Sequence, residues 1–389
     1  ATIIYTSGTT GRPKGCELTH DNFLGLAENA TAKLGDVVQR EDASTLLFLP
    51  LAHVFARFIE VLAVSAEARM GHSADIANIL DDFQSFKPTF ILAVPRVFEK
   101  IFNKANETAT ADGKGKIFAK AADTAIGYSE ALDKGSVPLG LKIKHAVFDK
   151  LVYSKLRAKM GNQVEYAVSG GAPLGTRLGH FFRGIGVRIY EGYGMTETTA
   201  TVCCYEDTQF RLGSIGTALN GIEVRLGENN ELLVRAPTVM RGYYNKPEAT
   251  AEVMTEDGFL RTGDAGELDD EGNIYFTERL KELMKTSNGK YVAPQLVEGT
   301  LGKDRFIEQI AIVADARHFV SALIVPCFES LEEYARSINL QYQCKTELLR
   351  HSRVMEFFEA RIQDLQKELA KFEQDKEDAR IAIEDGDAG

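Results

Sequence analysis

Residues 6–15 read TSGTTGRPKG and follow directly on the apolar stretch TIIY of residues 2–5. Glycines let the backbone turn its N–H groups toward an anion, and hydroxyl side chains add further hydrogen-bond donors. Lys14 adds a mobile positive charge, which suits phosphate oxygens. An apolar strand followed by such a loop predicts a phosphate-binding cradle, with these candidate residues: Thr6, Ser7, Gly8, Thr9, Thr10, Gly11 and Lys14.

The spacing of this loop differs from the Walker form of phosphate loop. In the Walker form a lysine directly follows glycine and is itself followed by a metal-binding hydroxyl. Here Arg12 and Pro13 separate Gly11 from Lys14, and Gly15 stands where the hydroxyl would be. The alternative is a flexible solvent loop, but six consecutive small hydroxyl or glycine residues behind an apolar strand argue against it.

The composition is that of an ordinary folded protein of 389 residues, 44% hydrophobic and 26% charged. A chain of this length predicts about two to three domains, and the composition excludes a collagenous, coiled-coil or largely disordered protein. The 45 Lys and Arg against 56 Asp and Glu give a formal net charge of −11. We therefore expect no nucleic-acid partner, because bulk electrostatics opposes wrapping a nucleic-acid backbone.

The five cysteines are odd in number and form no C-x-x-C pair, which argues against a disulfide framework and a zinc site. The adjacent Cys203 and Cys204 are either a redox pair or buried small hydrophobes, and we favour burial. No run of the sequence reaches the roughly 18 apolar residues of a membrane span, and no signal peptide is recognised. A cytoplasmic protein is the expectation.

Runs of β-branched and aromatic residues alternate with amphipathic stretches in the first half of the chain. We predict strands at residues 2–5, 45–49, 89–93, 164–168 and 187–190. Such alternation indicates a parallel sheet covered by helices, which is an α/β fold. Two segments rich in small and polar residues are predicted as surface loops on either side of a helix, at residues 106–116 and 133–140.

The pattern of predicted strands and turns differs in the second half of the chain. From Gly221 onward, short predicted strands at residues 222–226, 231–235, 266–268 and 274–277 alternate with turns, which is typical of a small antiparallel sheet. Beyond Arg279 we predict strands at 307–313 and 321–325, a helix at 330–338 and a longer helix at 346–372. The last helix repeats apolar residues on one face: Val354, Phe358, Ile362, Leu365, Leu369 and Phe372.

Further motifs follow the phosphate loop and carry a resemblance to a known family. They read LPLAHVF at 49–55, SGGAPL at 169–174, YEGYGMTE at 190–197, RTGD at 261–264, and ERLKE at 278–282 with NGKYVAP at 288–294. In this order they resemble the adenylate-forming (AMP-binding) superfamily. The segments PLAH at 50–53 and VPRVFEK at 94–100 are most similar to its long-chain fatty acyl-CoA synthetases.

The resemblance implies a role for each matching residue. It makes Lys14, His53, Thr196 and Glu197 catalytic, Thr9 and Glu197 ligands of Mg²⁺, and Lys281 the hinge of a mobile domain. Beyond the phosphate loop, it implies nucleotide-binding roles for Gly170, Gly171, Ala172, Glu191, Gly192, Tyr193, Gly194, Thr196, Asp264, Arg279 and Lys285. These residue types suit nucleotide binding, since an aromatic ring stacks on adenine and a carboxylate accepts hydrogen bonds from ribose hydroxyls.

Alternatives remain open for two of these residues. His53 lies in an apolar run and is either a satisfied core histidine or, by the resemblance, a gate between the nucleotide and the acyl pocket. Asp264 follows Thr-Gly and is either a turn residue or the ligand of the ribose. The other histidines show no spacing typical of a zinc site.

Two departures from the family pattern affect the expected activity. Most relatives have glycine before the hinge-motif arginine, whereas this chain has Glu278. The family's catalytic lysine near the C-terminus has no counterpart before Gly389, and relatives carry a large portion before the phosphate loop. We therefore expect a chain truncated at both ends whose residues alone adenylate poorly.

The implied function is that of a long-chain fatty acid–CoA ligase. A fatty acid reacts with ATP to give acyl-adenylate and pyrophosphate, and coenzyme A then takes the acyl group and releases AMP. The alternatives are an inactive nucleotide-binding protein and a related ligase for an aryl, amino or carrier-bound acid. Fatty-acid handling also predicts transient membrane contact of a cytoplasmic protein, although we identify no basic amphipathic helix. Chain-length preference and oligomeric state stay open.

The resemblance also assigns the domains. Residues 1–220 are expected to form part of the AMP-binding domain, and residues 221–278 its β-subdomain. Residues 279–389 are expected to form an incomplete C-terminal lid. The complete expectation is an α/β fold of layered sheets with covering helices, a small β-subdomain and a separate C-terminal α+β lid domain.

Overall fold

The computed structural model describes residues 1–6, 13–205, 211–280, 282–287, 289, 291–302, 304–369 and 382–383. It divides into two compact units, Ala1–Thr277 and Glu278–Gly389, and each is described by itself. The mixed α/β class with several sheets and covering helices is as predicted. In the part of the chain that the structure describes, each helix is too short or too polar to cross a bilayer.

The first unit begins with a hairpin and two groups of parallel strands. The strands are β1 (Thr2–Thr6), β2 (Lys14–Leu18), β3 (Ser44–Leu47), β4 (Arg69–His72), β5 (Phe90–Ala93), β6 (Tyr166–Gly170), β7 (Arg188–Tyr193), β8 (Cys203–Cys204) and β9 (Thr217–Ala218). β1 and β2 pair antiparallel, β3 and β4 pair parallel, and the main sheet has the order β5-β6-β7-β8-β9. Its β5, β6 and β7 are parallel, as the alternating pattern predicts.

Helices cover these strands because their apolar faces need burial. They are α1 (His20–Val38), α2 (Val54–Ser65), α3 (Ile79–Phe86), α4 (Pro95–Ala111), α5 (Gly115–Asp133), α6 (Leu139–Phe148), α7 (Ser154–Lys159), α8 (Thr176–Gly184) and α9 (Pro247–Val253). A π-helical turn, Asp149–Tyr153, joins α6 to α7. Phe98, Phe181 and Phe182 pack edge to face in the core beneath α4, α5 and α8.

The antiparallel sheet predicted after Gly221 is present. Its strands are β10 (Glu223–Leu226), β11 (Glu231–Arg235), β12 (Leu260–Leu268) and β13 (Ile274–Arg279), in that order. β12 begins earlier than the predicted strand at residues 266–268, because its first residues Leu260 and Arg261 already pair with β11. The motif at 261–264 therefore lies inside a strand, where its side chains alternate between the two faces.

The second unit is a small α+β arrangement. Its elements are β14 (Met284–Lys285), β15 (Tyr291–Val292), α10 (Pro294–Leu301), β16 (Ile307–Val313), β17 (Ser321–Pro326), α11 (Phe328–Ser337), α12 (Lys345–Leu349), α13 (Ser352–Leu365) and β18 (Ala382–Ile383). β16 and β17 pair antiparallel, and β18 lies parallel to β17. Val354, Phe358 and Ile362 are buried, which confirms the predicted apolar face for these three residues.

Two predicted segments are wrong. The loop expected at residues 106–116 is largely helical, since α4 continues to Ala111 and α5 begins at Gly115. Thr108 and Thr110 donate their hydroxyls to carbonyls one turn earlier, both at 2.8 Å, so these polar residues are satisfied inside the helix. Over its described residues, the helix predicted at 346–372 is instead α12 and α13, because the Nδ1 of His351 accepts the Arg353 N–H and starts a new helix. Phe372, the last residue of the predicted apolar face, lies outside the described residues.

Candidate active site

The ends of the predicted phosphate loop are held together by β1 and β2. Thr6 and Lys14 are paired across the hairpin, and the Thr6 hydroxyl donates to the Lys14 carbonyl at 3.4 Å. Ser7, Gly8, Thr9, Thr10 and Gly11, including the predicted metal ligand Thr9, lie outside the described residues. The hairpin therefore fixes the positions of the two residues at the ends of the loop, Thr6 and Lys14.

A segment from much later in the chain pairs with the outer edge of β2. The Glu17 N–H donates to the Gly242 carbonyl at 2.9 Å, and the Tyr244 N–H donates to the Gly15 carbonyl at 2.8 Å. Cys16 and Tyr243 lie opposite each other in this antiparallel bridge. The pairing brings the side chain of Tyr243 beside the base of the phosphate loop.

Tyr243 connects two of the predicted catalytic residues. The ammonium of Lys14 lies over the Tyr243 ring, 5.0 Å from its centroid. The Tyr243 hydroxyl donates to Oε1 of Glu197 at 2.8 Å. Glu197 is only 7% exposed, and its backbone carbonyl accepts the Met240 N–H at 2.7 Å. Lys14 and Glu197, which are far apart in sequence, thus contact the same tyrosine side chain.

Tyr243 is not among the residues predicted from the sequence. It lies 46 residues from Glu197 and belongs to no motif that the resemblance used, so spacing alone offered no signal. Burial raises the pKa of Tyr243, and the Glu197 carboxylate raises it further. The hydroxyl therefore stays protonated and remains a donor to Glu197 at physiological pH.

Replacing Tyr243 by phenylalanine removes the hydroxyl, so Oε1 of the buried Glu197 loses this hydrogen-bond donor. We expect Tyr243→Phe to lower the free energy of unfolding by about 1–3 kcal/mol, the range for leaving a buried polar group without its hydrogen-bond partner. Urea unfolding measures this effect. Tyr244→Phe is the matched control, because Tyr244 is 44% exposed, and an exposed substitution changes stability by less than about 0.5 kcal/mol. Equal effects of the two variants would contradict the role of Tyr243.

The predicted adenine and ribose residues also lie together. The hydroxyl of Tyr193, at the end of β7, donates to Oδ2 of Asp264 at 2.6 Å. Asp264 lies in β12 and is 5% exposed, so the alternative that it is a turn residue is wrong. Burial, followed by the Asp264 carboxylate, raises the pKa of Tyr193 well above its ordinary value. The Tyr193 ring also lies 6.3 Å from the ring of Phe276.

The glycine-rich residues lie where parallel strands end. Gly170 ends β6 and is paired with Gly192 on β7, while Gly171 and Ala172 follow at the surface. The carboxyl ends of parallel strands are where open α/β sheets bind ligands. This edge therefore gathers the predicted adenine-side residues from two strands.

Glu191 has a different environment from its predicted neighbours. It is 6% exposed, its Oε2 accepts the Leu174 N–H at 3.0 Å, and the Tyr205 hydroxyl lies 3.4 Å from Oε1. Burial raises the pKa of Glu191, whereas these two hydrogen bonds oppose the rise. The side chain holds the loop after β6 in place.

A tight turn connects Tyr193 to Glu197. Gly194 approaches the backbone of Ala200 so closely that a Cβ there would lie 1.3 Å from the Ala200 carbonyl oxygen. Thr196 is half-buried and begins a short 3₁₀ turn, Thr196–Thr198, that carries Glu197. Only glycine fits position 194, and this fit sets the path between the two functional side chains.

His53 is an exposed residue at the start of α2. Its Nδ1 accepts the Phe55 N–H at 3.3 Å, which caps the helix. The alternative of a buried core histidine is therefore wrong. The gate role implied by the resemblance stays a prediction.

The remaining predicted residues belong to the second unit. Arg279 forms an ion pair with Glu282 at 3.1 Å. Lys285 is exposed and lies over the ring of Tyr291 at 5.4 Å. The predicted hinge residue Lys281 lies outside the described residues.

One known protein family matches a large part of this chain. The family described as AMP-binding enzyme matches residues 1–244, which is more than half of the chain. The chain belongs to the AMP-binding enzyme family. The β1–β2 hairpin, the 190–197 motif and Tyr243 all lie within the matched region of this AMP-binding enzyme.

Curated relatives of this AMP-binding enzyme carry related names. It is 47% identical over 332 residues to "Long-chain-fatty-acid--CoA ligase FadD15" of Mycobacterium tuberculosis, covering 85% of this chain and 55% of the relative. It is 30% identical over 391 residues to "Long chain acyl-CoA synthetase 7, peroxisomal" of Arabidopsis thaliana, covering 95% of this chain and 54% of the relative. The chain thus spans about half the length of these relatives.

Solved structures share the fold. The o-succinylbenzoate CoA synthetase of Bacillus subtilis superposes with a TM-score of 0.67 at 20% identity, covering 98% of this chain and 65% of the other. The adenylation domain of a carboxylate reductase from Mycobacterium chelonae gives 0.69 at 24% identity, covering 98% of this chain and 54% of the other. At these identities the likeness shows the fold of this AMP-binding enzyme alone.

Proposed function

We propose that the protein carrying this sequence is a long-chain fatty acid–CoA ligase. The observation that carries the proposal is the contact of Lys14 and Glu197 with one tyrosine at the base of a Gly/Thr loop. A cation and a carboxylate that contact the same tyrosine suit a substrate that brings both phosphates and a divalent ion. The names of the relatives support a fatty acid as the acyl substrate.

The residues of the first unit would bind ATP in three parts. Lys14, Thr6 and Thr196 would donate to phosphate oxygens, and the predicted loop residues Ser7, Thr9 and Thr10 would add further donors. The Tyr193 ring and the backbone at Gly170–Ala172 would hold adenine, and Asp264 would accept bonds from the ribose. Because Tyr193 already donates to Asp264, the two side chains would be oriented before the nucleotide arrives.

The donor set also fits a magnesium ion. Glu197 offers a hard carboxylate oxygen and Thr9 a hydroxyl, which are the ligand types that Mg²⁺ takes. The hydrogen bond from Tyr243 fixes the rotamer of Glu197. When bound, Mg²⁺ neutralises negative charge on the phosphates.

The reaction proposed has two steps. The fatty carboxylate oxygen attacks the α-phosphorus of ATP, and pyrophosphate leaves, giving acyl-adenylate. The thiol of coenzyme A then loses its proton, attacks the acyl carbon and expels AMP. Positioned cations serve the first step, because two anionic reactants repel each other and negative charge builds on the phosphoryl oxygens.

The second unit is proposed as the lid of this ligase. Arg279 and Lys285 would add donors for the ribose and phosphates, and Lys281 would act as the hinge. His53, exposed at the start of α2, would lie between nucleotide and acyl pocket. We further propose a cytoplasmic protein with peripheral membrane contact.

Exchange of labelled pyrophosphate into ATP tests the proposed function. We expect exchange with long-chain fatty acids and none with aryl acids. Lys14→Ala is expected to lower the rate about a hundredfold, the loss typical of one charge-stabilising donor. Lys134→Ala, at an exposed lysine in the loop after α5, is the matched control and is expected to keep the wild-type rate.

Two results would contradict the proposal. Exchange with aryl acids only would assign a different ligase, and ATP binding without exchange for any acid would assign an inactive nucleotide-binding protein. The half-buried Glu278 beside the hinge motif favours the second outcome. The same assay on the 389 residues alone tests our expectation that they adenylate poorly.

A further inference from the structure

The helix α6 and the turn after it carry a row of exposed apolar side chains. Leu139, Ile143, Val147 and Leu151 are 74%, 59%, 52% and 54% exposed and follow one another at intervals of four residues. We call these four residues the α6 ridge. Apolar residues scattered singly over a surface need no explanation, but a continuous row marks an interaction site.

The helical geometry keeps the α6 ridge in line. In an α-helix, residues four apart are rotated by about 40° with each step, so a long row would wind around the axis. The π-helical turn Asp149–Tyr153 interrupts this drift, because its wider turns rotate the chain less per residue. Leu151 therefore stays beside Val147.

The opposite side of this segment is anchored in the first unit. His145 bonds the Gly184 carbonyl at 2.6 Å through Nε2, and its ring stacks on Tyr128 at 3.9 Å. The buried Tyr153 donates its hydroxyl to the Ala121 carbonyl at 2.7 Å. These contacts fix the rotation of the helix, so the α6 ridge faces outward.

Lysines flank the α6 ridge. Lys142 and Lys144 adjoin Ile143 in sequence and lie about 100° to either side of it around the helix. Lys150 and Lys155 follow, and all four side chains are exposed. The acidic residue within α6 and the π-turn is Asp149, which is paired with Arg157 at 2.8 Å. A chain of net charge −11 thus presents a locally basic surface here.

We propose that the α6 ridge docks on an anionic lipid surface. Apolar side chains of an interfacial helix enter the boundary between headgroups and acyl chains, while lysines beside them meet the anionic headgroups. A second copy of the chain fits less well, because a symmetric contact would place these lysines against each other. With four apolar side chains, attachment is reversible.

Vesicle sedimentation of the purified protein tests the proposal and needs no ligase activity. We expect binding to vesicles of phosphatidylcholine mixed with an equal part of phosphatidylglycerol, weaker binding to phosphatidylcholine alone, and release at high salt. The double variant Ile143→Ser/Val147→Ser should bind about tenfold more weakly. The triple variant Lys142→Gln/Lys144→Gln/Lys150→Gln should bind about a hundredfold more weakly.

Matched controls carry the same changes elsewhere. Val64 on α2 is 72% exposed, so Val64→Ser removes an equally accessible apolar side chain. A triple glutamine variant of three exposed cations in the second unit, Arg336, Lys345 and Arg353, removes the same charge. Both controls should bind anionic vesicles like the wild type. The proposal is overturned by absent wild-type binding, by controls as weak as the ridge variants, or by self-association that only the ridge variants lose.

Discussion

Replacing Gly194 by alanine is expected to abolish ATP binding and to lower the free energy of unfolding by about 3 kcal/mol, the upper end of ordinary overpacking. The added Cβ would lie 1.3 Å from the carbonyl oxygen of Ala200 and 2.5 Å from its carbon. Backbone atoms cannot rotate away as a side chain would, so the turn must open. Tyr193 and Glu197 flank this turn, and both would lose their positions.

Urea unfolding and a titration with ATP measure these two effects separately. Gly127→Ala is the matched control, because it adds the same methyl group inside α5, where nothing lies within 4 Å of the new Cβ. That variant should gain about 0.5–1 kcal/mol through helix propensity and bind ATP normally. Wild-type ATP affinity in the Gly194 variant would show that the turn does not support the nucleotide site.

Glu197→Gln is expected to slow pyrophosphate exchange by about a hundredfold or more, in the range found when one charge-stabilising group is removed. Glutamine keeps an oxygen that can accept a hydrogen bond from the Tyr243 hydroxyl, so the turn Thr196–Thr198 should keep its fold. The lost negative charge removes the hard ligand proposed for Mg²⁺. The variant should therefore need a higher Mg²⁺ concentration than the wild type to reach its half-maximal exchange rate.

The measurement is the exchange rate as a function of Mg²⁺ concentration. Glu99→Gln makes the same chemical change at a half-buried carboxyl on α4. Burial raises the pKa of Glu99, and the nearby Arg96 only partly opposes this rise. That control should leave the Mg²⁺ dependence unchanged. An unaltered Mg²⁺ dependence in the Glu197 variant would remove Glu197 from the proposed metal site.

Local sequence chemistry predicted much of the fold. Runs of β-branched residues located β5, β6, β7, β11 and β16 to within a few residues, because short buried strands leave a strong compositional pattern. The helical stretch up to Ala111 was missed because its threonines look like loop residues until their hydroxyls bond within the helix. The break at His351 was missed because a histidine cap is a weak sequence signal.

The candidate site was predictable in its parts but not in its connections. The chemistry of the loop indicated Lys14 and the resemblance indicated Glu197, Tyr193 and Asp264, yet the two hydrogen bonds that organise this site depend on tertiary pairing. Tyr243 reaches Glu197 only because its segment pairs with β2. The α6 ridge was equally hidden, since four-residue apolar spacing looks the same on a buried helix and on an exposed one.

The pairing of β2 with the segment around Tyr243 also bears on the timing of folding. The strands β1 and β2 are synthesised well before their partner segment at residues 241–244, which lies far along the chain. Closing so long a loop costs conformational entropy before any contact forms to offset it, so this pairing is a late step of folding. A growing polypeptide would thus carry a solvent-facing hairpin, and the anion site would mature only when the distant segment arrives.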